Sequence, residues 1–392
     1  MPDTVEIGLG RHARRAYHLD EVALVPTRRT RASAQVSTSW QIDAHTFELP
    51  FVAAPSDAVV SPETAKTIDA LGGLAVLDGE GLWTRYDDPQ LELARLAERP
   101  SVDVRSDAAY LQRLYSRPVS AELLRWRIGE LRGAGVRVAV RLSPQNTGAL
   151  AEAALTAGVD LLVIQGTVIS AEHVVGDDAS EDTKRALNLK TFIAELDVPV
   201  IVGGCSDYQT ALHLMRTGAA GVIVGYGAHA GSSTARVLGI DVPMATAVVD
   251  AAEARRDHLD ETGGRYVHLI AYGETETGAD IAKALACGAD AVMLGAPLAA
   301  ASDAPGRGRY WDATAAHPRL PRSAVVEVMD ADAPSAAEGD RDLARLVTGP
   351  TDDPSGAENL FGALRRSMGK CGYSSVKEFQ KAELVVTSPP RF

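Results

Sequence analysis

Short apolar runs alternate with amphipathic stretches through most of the chain. Eight runs are apolar on both faces: 51–55 (FVAAP), 74–78 (LAVLD), 136–142 (VRVAVRL), Gly158 to Gly166, 198–202 (VPVIV), Gly218 to Gly225, 266–271 (YVHLIA) and Gly288 to Gly295. Runs of this kind predict strands of a parallel sheet covered by helices. Helical periodicity between them predicts helices over 61–72, 119–133, 147–157, 186–196, 206–217, 243–260 and 277–287. Three of the strands repeat one design, in which a helix closes on Gly, an apolar run follows, and a second Gly ends it. Glycine suits the position just past a helix because it accepts the left-handed conformation there without steric cost.

The alternation predicts an α/β fold, a (β/α)8 TIM barrel, with a doubly wound sheet as the competing arrangement. The expected barrel core runs over about 48–300, after a leader at 1–50. A flap rich in Pro, Gly, Asp and Ala is expected over about 301–358, long enough to be functional, and a helical tail over about 359–392. All of it reads as one domain.

Composition narrows the function. Among 392 residues, 39 Lys and Arg face 52 Asp and Glu, a formal net charge of −13, which argues against a nucleic-acid surface. A 46% hydrophobic content with 23% charge is that of a globular chain. No apolar run approaches the roughly 18 residues of a membrane span. The first twenty residues carry charge throughout, so no secretory signal is expected. The three cysteines, Cys205, Cys287 and Cys371, form no CxxC, which excludes a disulfide framework and a thiolate zinc site; a reducing, cytoplasmic setting is expected, and no metal centre.

In a barrel of this kind the chemistry sits on the loops after the strands. The loop after the sixth strand, 225–239, carries Gly225, Gly227 and Gly231, which allow close backbone approach to a ligand, and the hydroxyls of Ser232, Ser233 and Thr234. A plain glycine turn explains the same composition. His229 in that loop is a candidate acid or base, or an exposed loop histidine. After the seventh strand, Tyr272, Gly273 and Glu274 precede a helix; Glu274 and Glu276 either hydrogen-bond a ligand's hydroxyl or amino groups or cap that helix. Arg307, Arg309, Tyr310 and Trp311 offer forked donors and stacking faces, or form a solvated flap. Asp57, after the first strand beside Ser56, binds ligand or caps the helix at 61–72. Gln165, Gly166 and Thr167 close the fourth strand, where they face a cofactor or make a simple turn. Gly203, Gly204 and Cys205 close the fifth, Cys205 being a nucleophile or a small buried hydrophobe.

The stretches 18-HLDEVALVPTRRT-30, 47-FELPFVAAPSDAVVSPETA-65, 163-VIQGTVISAEHV-174, 187-LNLKTFIAELDVPVIVGGC-205 and 359-NLFGALRRSMGKCGYSSVKEFQK-381 resemble the IMP dehydrogenase/GMP reductase family, nearest its short IMP dehydrogenase-related subgroup without CBS modules. The resemblance implies a purine-like small-molecule substrate, NADH or NADPH as cofactor, a monovalent cation such as K+ in the strand-six loop, and a homo-oligomer, tetramer or octamer. It also exposes departures on the ligand-facing rim. Where the family carries a nucleophilic Cys, this chain has Ser232. Tyr272-Gly273-Glu274 replaces Asp-Gly-Gly, Gly295-Ala296 replaces the phosphate-binding Gly-Ser, and Ser56 replaces a Met.

Ser232, Thr234, Glu274 and His229 are therefore the candidate catalytic residues. Ser56, Asp57, Gly203, Gly204, Gly231, Ser233, Tyr272, Gly273, Gly295, Ala296 and Tyr310 are the candidate substrate ligands, and Gln165, Gly166, Thr167, Gly225 and Gly227 the cofactor ligands. A serine without an activating base is a weak nucleophile. The expected activity is accordingly an NAD(P)H-dependent reductase or reductive deaminase acting on a purine-like or deazapurine nucleoside or nucleotide, and not a true IMP dehydrogenase. The alternative is a catalytically inactive paralogue that binds nucleotide or regulates a partner.

Overall fold

A computed structural model describes residues 4–98, 104–167, 169–173, 187–227, 234–312, 325–328 and 341–387. Eight parallel strands close into a barrel: β1 (Phe51–Ala53), β2 (Leu74–Asp78), β3 (Ala139–Leu142), β4 (Leu161–Gln165), β5 (Val200–Cys205), β6 (Gly221–Val224), β7 (His268–Ala271) and β8 (Ala291–Leu294), with β8 pairing back onto β1. Closure decides for the barrel over the doubly wound sheet. Seven strands lie within a predicted apolar run and β5 begins in one, at 198–202, and continues to Cys205, because a strand buried on both faces is apolar along most of its length.

The predicted helices form with ends shifted by a few residues at most: α1 (Pro62–Ala70), α4 (Ala121–Gly133), α5 (Thr147–Ala157), α6 (Leu189–Ala194), α7 (Tyr208–Met215), α8 (Met244–Thr262) and α9 (Gly278–Ala286). Two more, α2 (Gln90–Glu98) and α3 (Val104–Leu114), occupy the long connection between β2 and β3 that the periodicity reading passed over. After β8 come the single turn α10 (Ala296–Ala299), α11 (Leu343–Thr348) and, in the tail, α12 (Leu360–Cys371) and α13 (Val376–Phe379).

The leader is structured. Trp40–Ile42 and His45–Phe47 form a hairpin under the barrel, whose Trp40, Ile42 and Phe47 join Leu74, Leu161, Ile201 and Ala291 in one buried interior cluster. Val22–Val25 pairs antiparallel with Glu383–Val386, so leader and tail share a small sheet.

Side-chain alternation then sets the interior. Leu74, Val76 and Asp78 of β2 point inward, as do Ala139 and Arg141 of β3, and Leu161, Val163 and Gln165 of β4, the apolar members forming one cluster. The lower layers are apolar. The uppermost inward positions are polar, and these form the floor of the mouth.

Candidate active site at the barrel mouth

Arg141 organises that floor. It is 3% exposed; its Nη1 donates to Asp78 Oδ1 at 3.2 Å, and its Nε and Nη2 donate to the Gln165 carbonyl at 3.1 and 2.8 Å. Burial alone would lower its affinity for a proton, but the charges of Asp78 and Glu80 outweigh it and hold the guanidinium firmly protonated. Glu80 accepts from the Ser143 amide, from Ser143 Oγ at 3.0 Å and from Asn146 Nδ2 at 2.6 Å. Burial pushes its carboxyl up, yet the Arg141 charge and these donors win and leave it below the usual carboxylate range. Two buried acceptors, Asp78 Oδ2 and Gln165 Oε1, have no hydrogen-bond partner among the described residues. A reading for loop signatures missed Asp78, Glu80 and Arg141; the available signal was a charge at the inward end of an otherwise apolar strand.

Above the floor lies residues 309–312 of the flap. Tyr310 and Trp311 are 0% and 1% exposed. Ser56 Oγ donates to the Trp311 carbonyl at 2.7 Å, and Trp311 Nε1 donates to Tyr115 Oη at 3.0 Å. Tyr115 in turn donates to Asp57 Oδ2 at 2.5 Å, and the Leu82 amide donates to the same oxygen at 2.9 Å. Tyr272 Oη lies 2.9 Å from Tyr310 Oη and donates to Asp312 Oδ2 at 3.2 Å. Burial first, then the charge of Asp312, pushes both phenols well above their ordinary value, so they remain protonated donors.

This placement gives several rim residues partners within the chain. The departures Ser56, Tyr272 and Gly295 face residues 309–312 of the same chain: a Cβ on Gly295 would stand 2.5 Å from Tyr310 Oη. Asp57 does not cap α1; Ser61 does, accepting from the Thr64 amide. The glycines assigned to ligand approach are required by the chain's own packing. A Cβ on Gly203 would meet Ile223, on Gly204 the Gly225 carbonyl, on Gly225 the Tyr272 carbonyl at 2.2 Å, and on Gly227 the Asp312 carboxylate at 2.4 Å. Gly166 exchanges backbone hydrogen bonds with Gly203 and Gly204, and Thr167 is half-buried beside it. Arg309 donates to the Leu96 carbonyl at 2.8 Å and so leans on α2.

Glu274 finds partners within the chain. Its φ is +53°, and its carboxylate turns to the leader and to the start of α8: His18 Nδ1 lies 2.6 Å away, the Leu19 amide donates at 2.9 Å and the Met244 amide at 3.3 Å. Pro243 ahead of α8 supplies no side-chain cap, so Glu274 supplies an acceptor from a distance. The helix after β7 is capped by Thr277. Gly273, Glu274, Gly225, Gly227 and Thr234 line a recess of about 30 Å³, room for a water or two. Thr234 is buried there and Ala296 opens α10, also buried. Cys205 is fully buried, and burial carries its thiol far above the ordinary value, so its reading is the small hydrophobe. His229, Gly231, Ser232 and Ser233 lie outside the described residues, as does all of 228–233 in the loop assigned to K+. No cluster of three His, Cys, Asp or Glu fit to hold a metal occurs among the described residues, and no described helix is long and apolar enough to cross a membrane.

Fold and floor together define a (β/α)8 barrel of the enzyme type, with charged and phenolic groups gathered at the C-terminal mouth. The chain belongs to the IMP dehydrogenase / GMP reductase domain family, whose model matches residues 16–318. It is 55% identical over 98% of its length to the whole of a protein of Mycolicibacterium smegmatis named an uncharacterized oxidoreductase. It is 31% identical over 263 residues to the inosine-5′-monophosphate dehydrogenase of Methanocaldococcus jannaschii, covering 61% of this chain and 48% of that one. The crystal structure of an IMP dehydrogenase/GMP reductase-like protein from Corynebacterium glutamicum is similar at a TM-score of 0.89, with 50% identity and 98% of each chain covered.

Proposed function

We propose that this chain is an NAD(P)H-dependent oxidoreductase, a reductase or reductive deaminase that takes a purine-like or deazapurine nucleoside or nucleotide at the barrel mouth. The observation that carries the reading is the polar floor: buried Asp78 and Gln165 hold acceptors without a partner among the described residues, where a barrel serving only as scaffold would be apolar. A nicotinamide carboxamide would supply the donor that Gln165 Oε1 lacks. When bound, the reduced nicotinamide supplies hydride. Tyr272 and Tyr310, kept protonated by burial, tie residues 309–312 down beside the mouth through Asp312, and Arg141 holds the Gln165 backbone in place. Ser232, Thr234, His229 and Glu274 remain the proposed set for proton transfer, Glu274 being held meanwhile by the leader and the start of α8.

The second reading, a paralogue that binds without turnover, is favoured by Tyr310 and Trp311, which fill the mouth with the chain's own side chains. Absorbance at 340 nm separates the two. NADH and NADPH are offered with IMP, GMP, guanosine and 7-deazaguanine nucleosides. Cofactor oxidation with any of them supports the reductase; thermal stabilisation by these compounds without oxidation supports the binding paralogue.

A further inference from the structure

A second cavity lies at the other end of the barrel. Its volume is about 620 Å³, within the range of small-molecule pockets, and its walls include Trp40 of the hairpin, Tyr266 and His268 at the start of β7, Asp290 before β8, Arg265, and Lys377 of α13. The strands nearest it, β6 to β8, have four residues each, so about 13 Å of barrel separates it from the mouth.

Its wall brings two cations, Arg265 and Lys377, beside two carboxylates, Asp43 and Asp290. Asp290, 2% exposed, is fully engaged: Arg255 Nη1 donates at 2.8 Å, Lys377 Nζ at 2.9 Å, Tyr266 Oη at 2.8 Å and the Leu269 amide at 2.9 Å. One carboxylate thus serves two cations. Arg255 is buried behind the wall and already offsets Asp290, so the cations that face the cavity are Lys377 and Arg265, the latter held by the Gly218 carbonyl, with Asp43 the remaining acid on the wall. Lys377 also lies over the Tyr266 ring, 3.3 Å from its centroid, and its side chain is 55% exposed, leaving donors to spare. His268 is edge-on to both Trp40 and Tyr266, which completes a wall of ring edges.

We propose that this cavity binds a small aromatic or heteroaromatic monoanion, its acid group toward Lys377 and Arg265 and its ring against Trp40, Tyr266 and His268. The site is independent of the chemistry at the mouth. The test uses the full chain and 8-anilinonaphthalene-1-sulfonate, a fluorescent aromatic monoanion, titrated into wild type, Arg265→Ala and Lys377→Met, with benzoate and benzamide as competitors. The expected result is one site per chain, weakened about tenfold in each variant, and displaced by benzoate but not by its neutral amide. Arg265 is exposed and its replacement leaves the Asp290 cluster intact, so a folding failure of the Lys377 variant does not spoil the test. Absence of saturable binding, equal affinity in Arg265→Ala, or equal competition by benzamide would overturn the proposal and leave a water-filled cleft between barrel and tail.

Discussion

Removing the charge of Arg141 tests the architecture of the mouth directly. The guanidinium makes one contact to Asp78 and two to the Gln165 carbonyl and sits at 3% exposure, with the charges of Glu80 and Asp312 also bearing on it. Arg141→Met replaces it by an apolar chain of similar reach and strands those carboxylates. Breaking a buried ion pair from one side costs about 3–5 kcal/mol, and the carbonyl left without donors about 1–3 kcal/mol; the two overlap, so we expect a loss of about 4 kcal/mol. The sign of the pH dependence follows from the same groups. In the wild type, Glu80 is held below its ordinary value, so its contribution is present above the unfolded carboxylate range and is lost as pH falls through its folded value. In the variant, a carboxyl buried without its cation prefers the neutral form, so its penalty is full at pH 8 and fades toward about pH 4. Urea unfolding at several pH values, read as midpoint and slope, should show two stability curves that converge in acid. A loss below about 1 kcal/mol, or one constant between pH 5 and 8, would refute the buried-pair reasoning.

Further expectations rest on single contacts. Tyr272→Phe removes the hydroxyl between Tyr310 and Asp312 and should cost about 1–3 kcal/mol in chemical unfolding; a neutral result would show that the phenol is not needed there. Gly227→Ala places a Cβ 2.4 Å from Asp312 Oδ2 at a φ of +97°, so it should destabilise by at least about 1–3 kcal/mol and loosen residues 309–312, seen as faster proteolysis there. Burial holds the His268 imidazole neutral, down to about 4, so stability should decline as pH falls from about 6.5 toward 4, by up to about 3 kcal/mol, and NMR should show no imidazole protonation at pH 6. Cys205 should resist a thiol reagent at pH 8 until the protein unfolds; rapid native labelling of that residue would contradict its burial.

Local signals determined the barrel. A strand buried on both faces has to be apolar along its length, and a helix that turns back to the sheet closes best on glycine, so both features are written within a few neighbouring residues. Gly158 ends α5 and Gly288 follows the last residues of α9, both with positive φ, whereas α7 stops at Arg216, two residues before Gly218. The resemblance was legible for the same reason, being carried by continuous stretches. The connection holding α2 and α3 was passed over because its amphipathic helices lie between strands two and three without a glycine-closed unit to mark them.

The contents of the mouth were decided by tertiary structure. Ser56 and Trp311 are 255 residues apart, Arg141 and Asp78 are 63 apart, and Glu274 meets His18 across 256. No local pattern encodes such pairings. A polar residue at a strand end reads the same whether it faces a ligand, a buried partner or a distant loop, and only barrel closure brings 309–312 over the mouth and the hairpin at 40–47 under it. Residue chemistry was therefore legible from the sequence alone, whereas the partner each group finds depended on which distant segments the closed barrel packs against it.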